Sequence, residues 1–562
     1  MKKINLLLIP IVIFAFMTAG FMFAPASGND GDFITWTKSD NTTVKIPVKV
    51  LNEIKVHFTS KELPDWSQMS PDKDGYEGTR TLELYDYIRS QGIGAPKPVI
   101  VAVMDSGFEI DHPDLKDNLW NNDAEINGQA GVDDDNNGYI DDFHGWNFLG
   151  KAVALNLEVT REYARLKKEG VSETDPYYAD VIKEYNTKKQ EDKETYDYIK
   201  IMNDELKGAV ATLKNAGVTT DPKKLQEISE TLKGKEKEAA EKILGIYLMA
   251  QATPEDMQEY EKEYENKVKL LYDLNFNPSD LIGDNPGKMD EKNYGDNDPS
   301  VKTSSHGTHV AGIIGSMKKG IGQAPFVKLM YLRLVPADGD ERDKDVANGI
   351  RYAADNGASV INLSAGKYYP NNPQYVIDAI KYAESKGVLF VVAAGNEGTN
   401  IETRLNYPPK FYKEGGEITY FPNLLCVGAS TWMKQYDSNL DPMNYSRKSD
   451  LCAPFSNYSN KVVDVFAPGM QINSTVPGKT YKMMSGTSMA SPVAAGVAAI
   501  LKGYFPELTP KQIKEIMMNS SRKYDNLLVK TKELGKVQFA TLSKSGGVVD
   551  ALNAFKMAQE MK

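Results

Sequence analysis

From residue 99 onward the chain alternates between two patterns: unbroken apolar runs, and stretches with an apolar residue at every third or fourth position. The runs are VIVAVM (99–104), VKLMYLRL (327–334), ASVINLS (358–364) and VLFVVAA (388–394). Such runs, rich in β-branched residues, suit strands buried on both faces of a parallel sheet. The intervening DVANGIRYAADNG (345–357) and QYVIDAIKYAESKG (374–387) carry the helical period and end in glycine. The alternation predicts a doubly wound, three-layer α/β fold on a parallel sheet. Chemistry in such sheets collects just beyond the C-terminal strand ends.

Between Lys151 and Tyr294 the pattern changes: Lys, Glu and Tyr crowd the segment and glycine is sparse. Asp175-Pro176, Asp221-Pro222 and Thr253-Pro254 each set a capping residue before a first-turn proline, and Gly170 and Gly217 read as stops. Ile199, Met202, Leu206, Val210 and Leu213 form a stripe that predicts a helix burying one face. Residues 151–294 are therefore expected to be a helical insert in a domain built from 81–150 and 295–562. Residues 27–80 read as an N-terminal extension or short pro-segment. Within it Val44, Ile46, Val48 and Val50 alternate with Thr43, Lys45, Pro47 and Lys49, which predicts an edge strand that tolerates Pro47.

Lys2 and Lys3 precede the apolar run INLLLIPIVIFAFMTAGFMF, and Ala24-Pro25-Ala26 offers the small residues of a cleavage site. Residues 1–26 thus read as a signal peptide, and the protein as exported to a periplasm, a surface or the medium. The alternative is an uncleaved anchor, since the run is long enough to span a bilayer. The net charge of −11 leaves no basic footprint, so nucleic acid is not an expected partner. Cys426 and Cys452 are too few for a disulfide scaffold, and they suit either one disulfide or two buried thiols.

Candidate chemistry sits at the ends of the predicted elements. Asp105 follows VIVAVM in MDSGFEIDHPDL, Asn396 follows VLFVVAA in AAGNEG, and Ser488 opens a small-residue helix in SGTSMASPVAAG. A serine at a helix start lies in positive potential, with its own N–H available to an oxyanion. Pro492 fits there because first-turn amides need no intrahelical partner. Taken singly, each has a plain structural explanation as a turn aspartate, a loop asparagine and a capping serine. SSHGTHVAGIIG (304–315) adds His306 and His309, two of five histidines in the chain. Their i,i+3 spacing, with no HExxH and no third ligand, argues against a zinc hydrolase.

Aspartate, then histidine, then serine is the chain order of subtilisin. DSGFEIDHPDL, HGTHVAG, AAGNEG and GTSMASP, in that order and with FAPG (466–469) ahead of the serine, resemble the signature motifs of the subtilisin-like serine proteases. The resemblance spans roughly 95–150 and 292–560. It implies a secreted serine endopeptidase acting on peptides and proteins, with no cofactor for catalysis. By resemblance His306 is the general base for Ser488, Asp105 orients it, and Asn396 donates to the oxyanion beside the Ser488 N–H. His112 and His309 are then structural. Ser364-Ala365-Gly366 and Ala393-Ala394-Gly395 would border the pocket for the residue before the scissile bond. Being small and free of acid, they predict a broad or apolar preference. A silent binding or scaffolding protein on the same fold is the rival reading, and the intact residue set argues against it.

VDDDNNGYIDDFHGWNF (132–148) is a second constellation. Asp133, Asp135 and Asn137, with Gly138, follow positions 1, 3, 5 and 6 of an EF-hand loop, but His144 stands where the bidentate glutamate belongs. With Tyr139, Asp141 and Asp142 they make the candidate ligand set for a structural calcium ion. The alternative is a solvated acidic turn.

Overall fold

The computed structural model describes residues 33–37, 43–47, 63–250, 252–301, 304–402, 405–441 and 446–561. The expected signal peptide lies outside these residues. Of the expected edge strand, Thr43–Pro47 is described and pairs antiparallel with Phe33–Thr37.

Among the described residues nine strands form the main sheet: β1 (Ile100–Asp105), β2 (Gly145–Asn147), β3 (Lys328–Arg333), β4 (Val360–Leu363), β5 (Leu389–Ala393), β6 (Leu424–Ser430), β7 (Val465–Pro468), β8 (Arg522–Lys523) and β9 (Gly547–Val548). Their order is β8-β9-β7-β6-β5-β4-β1-β3-β2, and every neighbouring pair is parallel except β8 with β9. The apolar runs contain β1, β3, β4 and β5, which are central because both of their faces are covered. Alternate residues feed two cores: Val101, Val103 and Val391 enter one, and Ala102, Met104 and Val392 the other. Each fully buried Val or Met side chain contributes about 1.5–3 kcal/mol, which fixes the register of every strand against both helix layers.

Four helices matter for the site: α1 (His306–Gly315), α2 (Asp343–Asp355), α3 (Pro373–Ser385) and α4 (Thr487–Tyr504). Residues of α1 and α4 fill the first core, and those of α2 and α3 fill the second. This is the three-layer, doubly wound arrangement that the alternation predicts. Pro492 stands further along α4 than expected, since the helix starts at Thr487. Its missing N–H leaves the Ser488 carbonyl without an intrahelical donor, and the Ser364 hydroxyl supplies one at 2.9 Å.

Three insert helices, Pro176–Asn215, Pro222–Ile228 and Pro254–Leu271, begin at the predicted prolines. Asp175 accepts from Tyr178 N at 3.0 Å, Asp221 from Lys224 N at 3.0 Å, and Thr253 Oγ1 from Asp256 N at 3.2 Å. Residues 183–269 group in a compact unit where Ile199, Met202, Leu206 and Leu213 are buried with Ile243, Leu244 and Met257. Val210 is half-buried. The flanks 151–182 and 270–294 belong instead with the larger unit of 61–182 and 270–562, so the separable insert is narrower than 151–294. The reason is packing, because Leu155, Ile282 and Tyr294 join the second core of the sheet.

Cys426 and Cys452 are both buried free thiols, which removes the disulfide reading, and burial pushes them up to about 11 and about 12. Among the described residues no helix is long and apolar enough to cross a membrane.

Candidate active site

Asp105 is the last residue of β1, and His306 is the first of α1. Their meeting depends on glycine. A Cβ on Gly307 would lie 2.4 Å from Gly107 O, and one on Gly107, itself at φ +129°, would lie 2.5 Å from Val301 O. The helix start therefore presses directly on the strand end. His306 Nδ1 lies 2.7 Å from Asp105 Oδ1, with Asp105 1% and His306 34% exposed at the side chain. The same oxygen accepts from Ser106 N at 2.7 Å, which holds the carboxylate in one orientation. Burial alone would lower the imidazole, but the charge and hydrogen bond of Asp105 outweigh it and raise His306 above its ordinary value.

His309, one turn on, is fully buried, and its Nε2 lies 3.0 and 2.9 Å from Ile472 O and Lys482 O. Burial pushes it down to about 3, so it stays neutral and ties α1 to the hairpin of Ile472–Val476 and Thr480–Met484. His112 grips the same hairpin. Asp114 N donates to its Nδ1 at 3.2 Å, which leaves Nε2 to donate to Thr480 O at 3.3 Å. Both histidines are structural, as expected.

Ser488 stands in the first turn of α4, four residues past the end of that hairpin. Its hydroxyl donates to Ser364 O at 3.1 Å. A buried chain holds this region: Ser491 Oγ to Asn362 Oδ1 at 2.6 Å, Asn362 Nδ2 to Ser364 Oγ at 3.0 Å, and Ser364 Oγ to Ser488 O at 2.9 Å. Asn396 follows β5, and its Oδ1 accepts from Thr487 N at 2.8 Å and Thr487 Oγ1 at 3.0 Å. The amide is thereby oriented with Nδ2 outward. A Cβ placed on Gly486 would lie 3.5 Å from Ser488 N and 3.7 Å from Asn396 Nδ2, so both donors border space that glycine leaves open.

Ser364, Ala365, Gly366, Ala393 and Gly395 line one cavity with Asn396, Thr487 and Ser488. Ala394 does not line it. The strand alternation turns its side chain into the second core, while its carbonyl accepts from Asn406 and Asn457 at 2.7 and 3.0 Å. The cavity also holds Tyr368, Asn406 and Glu397, which the sequence reading missed. Glu397 adds a carboxylate to walls whose expected residues carry none. It stands beside Asn396 inside AAGNEG, so the motif contained the signal.

In the acidic loop, carboxylate oxygens of Glu125, Asp135 and Asp142 all lie within 4.8 Å of one another. Glu125 was not foreseen, because it comes from a separate short helix, Asp123–Asn127. Asp133 stands apart, since its carboxylate caps Asn137 N and Gly138 N at 3.0 and 2.9 Å. Asp141 accepts from Gly131 N at 2.8 Å, and the Tyr139 ring packs among Trp146, Phe148 and Tyr352. Asn137 Nδ2 donates to Asp135 at 3.0 Å and to Asp142 at 2.9 Å, and Asn122 Nδ2 donates to the same pair at 2.9 and 2.7 Å. Burial pushes Asp142 up to about 6.

Comparison with known proteins bears on this arrangement. The subtilase family profile matches residues 97–539. Subtilisin BL of Lederbergia lenta is 34% identical over 228 residues, 40% of this chain and 73% of that protein. A thermophilic serine proteinase of Bacillus sp. (strain AK1) is 40% identical over 210 residues, 37% of this chain and 44% of that protein. Subtilisin E of Bacillus subtilis (strain 168) is 32% identical over 246 residues, 43% of this chain and 57% of that protein. With more than half its length matched and Asp105, His306, Asn396 and Ser488 all inside the matched span, the chain belongs to the subtilase family of subtilisin-like serine endopeptidases.

Proposed function

We propose that the protein hydrolyses internal peptide bonds through Ser488, His306 and Asp105, with Ser488 N and Asn396 Nδ2 stabilising the oxyanion. The observation that carries the reading is the 2.7 Å pair of His306 Nδ1 and Asp105 Oδ1. That bond keeps Nε2 unprotonated and free to accept a proton. Ser488 Oγ turns from Ser364 O, attacks the substrate carbonyl carbon, and gives its proton to His306 Nε2. The carbonyl oxygen takes the negative charge and accepts from the Ser488 and Asn396 donors. As the tetrahedral species collapses, the C–N bond breaks and His306 passes its proton to the departing amine. Water, deprotonated by His306 in turn, releases the acid product and restores the Ser488 hydroxyl. Asp105 stays ionised and stabilises each imidazolium. The cavity beside Ser488 would take the side chain preceding the scissile bond. A fluorophosphonate probe tests the reading: its label should map to Ser488 by peptide mass spectrometry, and a label elsewhere or none would defeat it.

Calcium is a second part of the proposal. Three carboxylates, beside the amides of Asn122 and Asn137, form a hard-oxygen donor set that fits it. Both amides turn NH₂ groups into the cluster, offsetting its charge, and the same amides rotated would present carbonyl oxygens. Glu125, Asp135 and Asp142 would hold the ion, and its role would be structural. Export is inferred from the pattern of residues 1–26.

A further inference from the structure

The cavity wall beside Ser488 ends on a lysine withdrawn from solvent. Gly366 is exposed, while Lys367, the next residue, is 2% exposed at its side chain. Its ammonium donates to Glu158 Oε2 at 2.6 Å and to Glu341 O at 2.8 Å, and it pairs with Asp343 Oδ1 at 2.8 Å. Glu158, also 2% exposed, takes a second cation, Arg161 Nη2, at 2.7 Å. That guanidinium also reaches Asp340 O at 2.9 Å and Glu341 O at 3.2 Å. Asp343 completes the cluster by accepting from Asn371 N and Asn372 N at 2.8 and 2.6 Å.

The cluster is joined to the wall by main chain. Lys367 N donates to Tyr407 O at 3.1 Å, Tyr407 N donates to Lys367 O at 2.7 Å, and a Cβ on Gly366 would lie 2.8 Å from that Tyr407 carbonyl. Asn406, just before Tyr407, lines the same cavity and donates to Ala394 O at 2.7 Å. Two sides of the cavity, 364–366 and 406, are thus clipped together at Lys367. Buried ion pairs are weak sources of stability, because desolvation consumes most of the Coulomb gain, and fixing one arrangement is their better-attested use. No catalytic step needs Lys367. Glu158 opens the helix Glu158–Lys168 and lies outside the four signature motifs.

We propose that Glu158 and Lys367 are positioning residues for substrate binding: a helix in the flank of the insertion anchors the wall of the pocket and so fixes which side chains it accepts. The inference rests on reading that cavity as the pocket for the residue before the scissile bond. The mutations leave Ser488, His306 and Asn396 untouched, so the effect belongs on binding and selectivity.

The test compares the parent with Glu158→Gln and with the double variant Glu158→Gln/Lys367→Met, which removes one carboxylate and one ammonium, keeps the net charge of the cluster, and leaves Asp343 held by Asn371 N and Asn372 N. The readouts are fluorophosphonate labelling rate, melting midpoint, and kcat and KM on peptides with Ala or Phe before the scissile bond. Glu158→Gln should change the Phe-to-Ala ratio of kcat/KM at least about fivefold through KM, with kcat and labelling rate within about twofold. The double variant, with the charge balance restored, should melt above Glu158→Gln and keep the altered ratio. It carries the test alone if the single variant fails to fold. A ratio that returns with stability, or never moves, overturns the proposal, as does a parallel fall in kcat and labelling. A parent that the probe does not label overturns the functional reading itself, and this inference with it.

Discussion

Asp105 and His306, 201 positions apart in the chain, meet at 2.7 Å between one carboxylate oxygen and Nδ1. The pair has a pH consequence. Asp105 raises His306, so the acid limb of kcat/KM should lie above the ordinary histidine value of about 6.5. The stability contribution of the pair has the opposite sign: it is complete below the unfolded value and is lost as pH rises through the raised folded one. Activity therefore rises while that contribution declines. In Asp105→Asn the limb of the residual activity should move down. A parent limb below 6.5, or one unmoved by the substitution, would contradict the assignment.

Asn396 spends its carbonyl oxygen on Thr487, which leaves Nδ2 as the group it would offer to an oxyanion. The oxyanion exists only after attack, so Asn396→Ala should lower kcat by about 10²–10³ with little change in KM, a magnitude taken from subtilisin itself and carried over. Steady-state kinetics on a chromogenic peptide separates the two parameters. A change confined to KM would count against the role.

Glu397 lines the cavity, is exposed, and accepts from Asn457 Nδ2 at 2.6 Å. A lysine before the scissile bond would meet this carboxylate in water, where such pairs are weak. Glu397→Gln should therefore reduce kcat/KM for a Lys substrate by about two- to fivefold and leave a Phe substrate unaffected. Equal losses on both would show that Glu397 acts through the fold.

Calcium should raise the melting midpoint without being needed for hydrolysis. Free ion at a hundred times its dissociation constant would stabilise the folded state by about 2.7 kcal/mol. Melts with and without chelator should differ for the parent and coincide for Asp135→Ala. Equal midpoints for the parent would remove the ion from the account.

Much of the site was legible because it lies where strands stop and helices start. β1 and β5 are apolar runs buried on both faces, and Asp105 and Asn396 are the polar residues at or just after their ends. Ser488 shows in its motif and small-residue helix. What escaped comes from converging segments without fixed spacing. Glu125 reaches the acidic loop from another helix, and Glu158 looks like one more charge on an exposed insert helix, although it is 2% exposed. The insert boundary was misplaced for the same reason: the flanks share the composition of 183–269 but pack into the sheet core. Composition reports what a segment can expose. Burial depends on partners far away in the chain.

The central claim is that Ser488 is the nucleophile, and the most direct measurement is peptide hydrolysis by purified Ser488→Ala with an unaltered melting midpoint. The account predicts a loss of at least about 10⁴-fold in kcat together with the disappearance of fluorophosphonate labelling. Turnover within tenfold of the parent in that folded variant would contradict it.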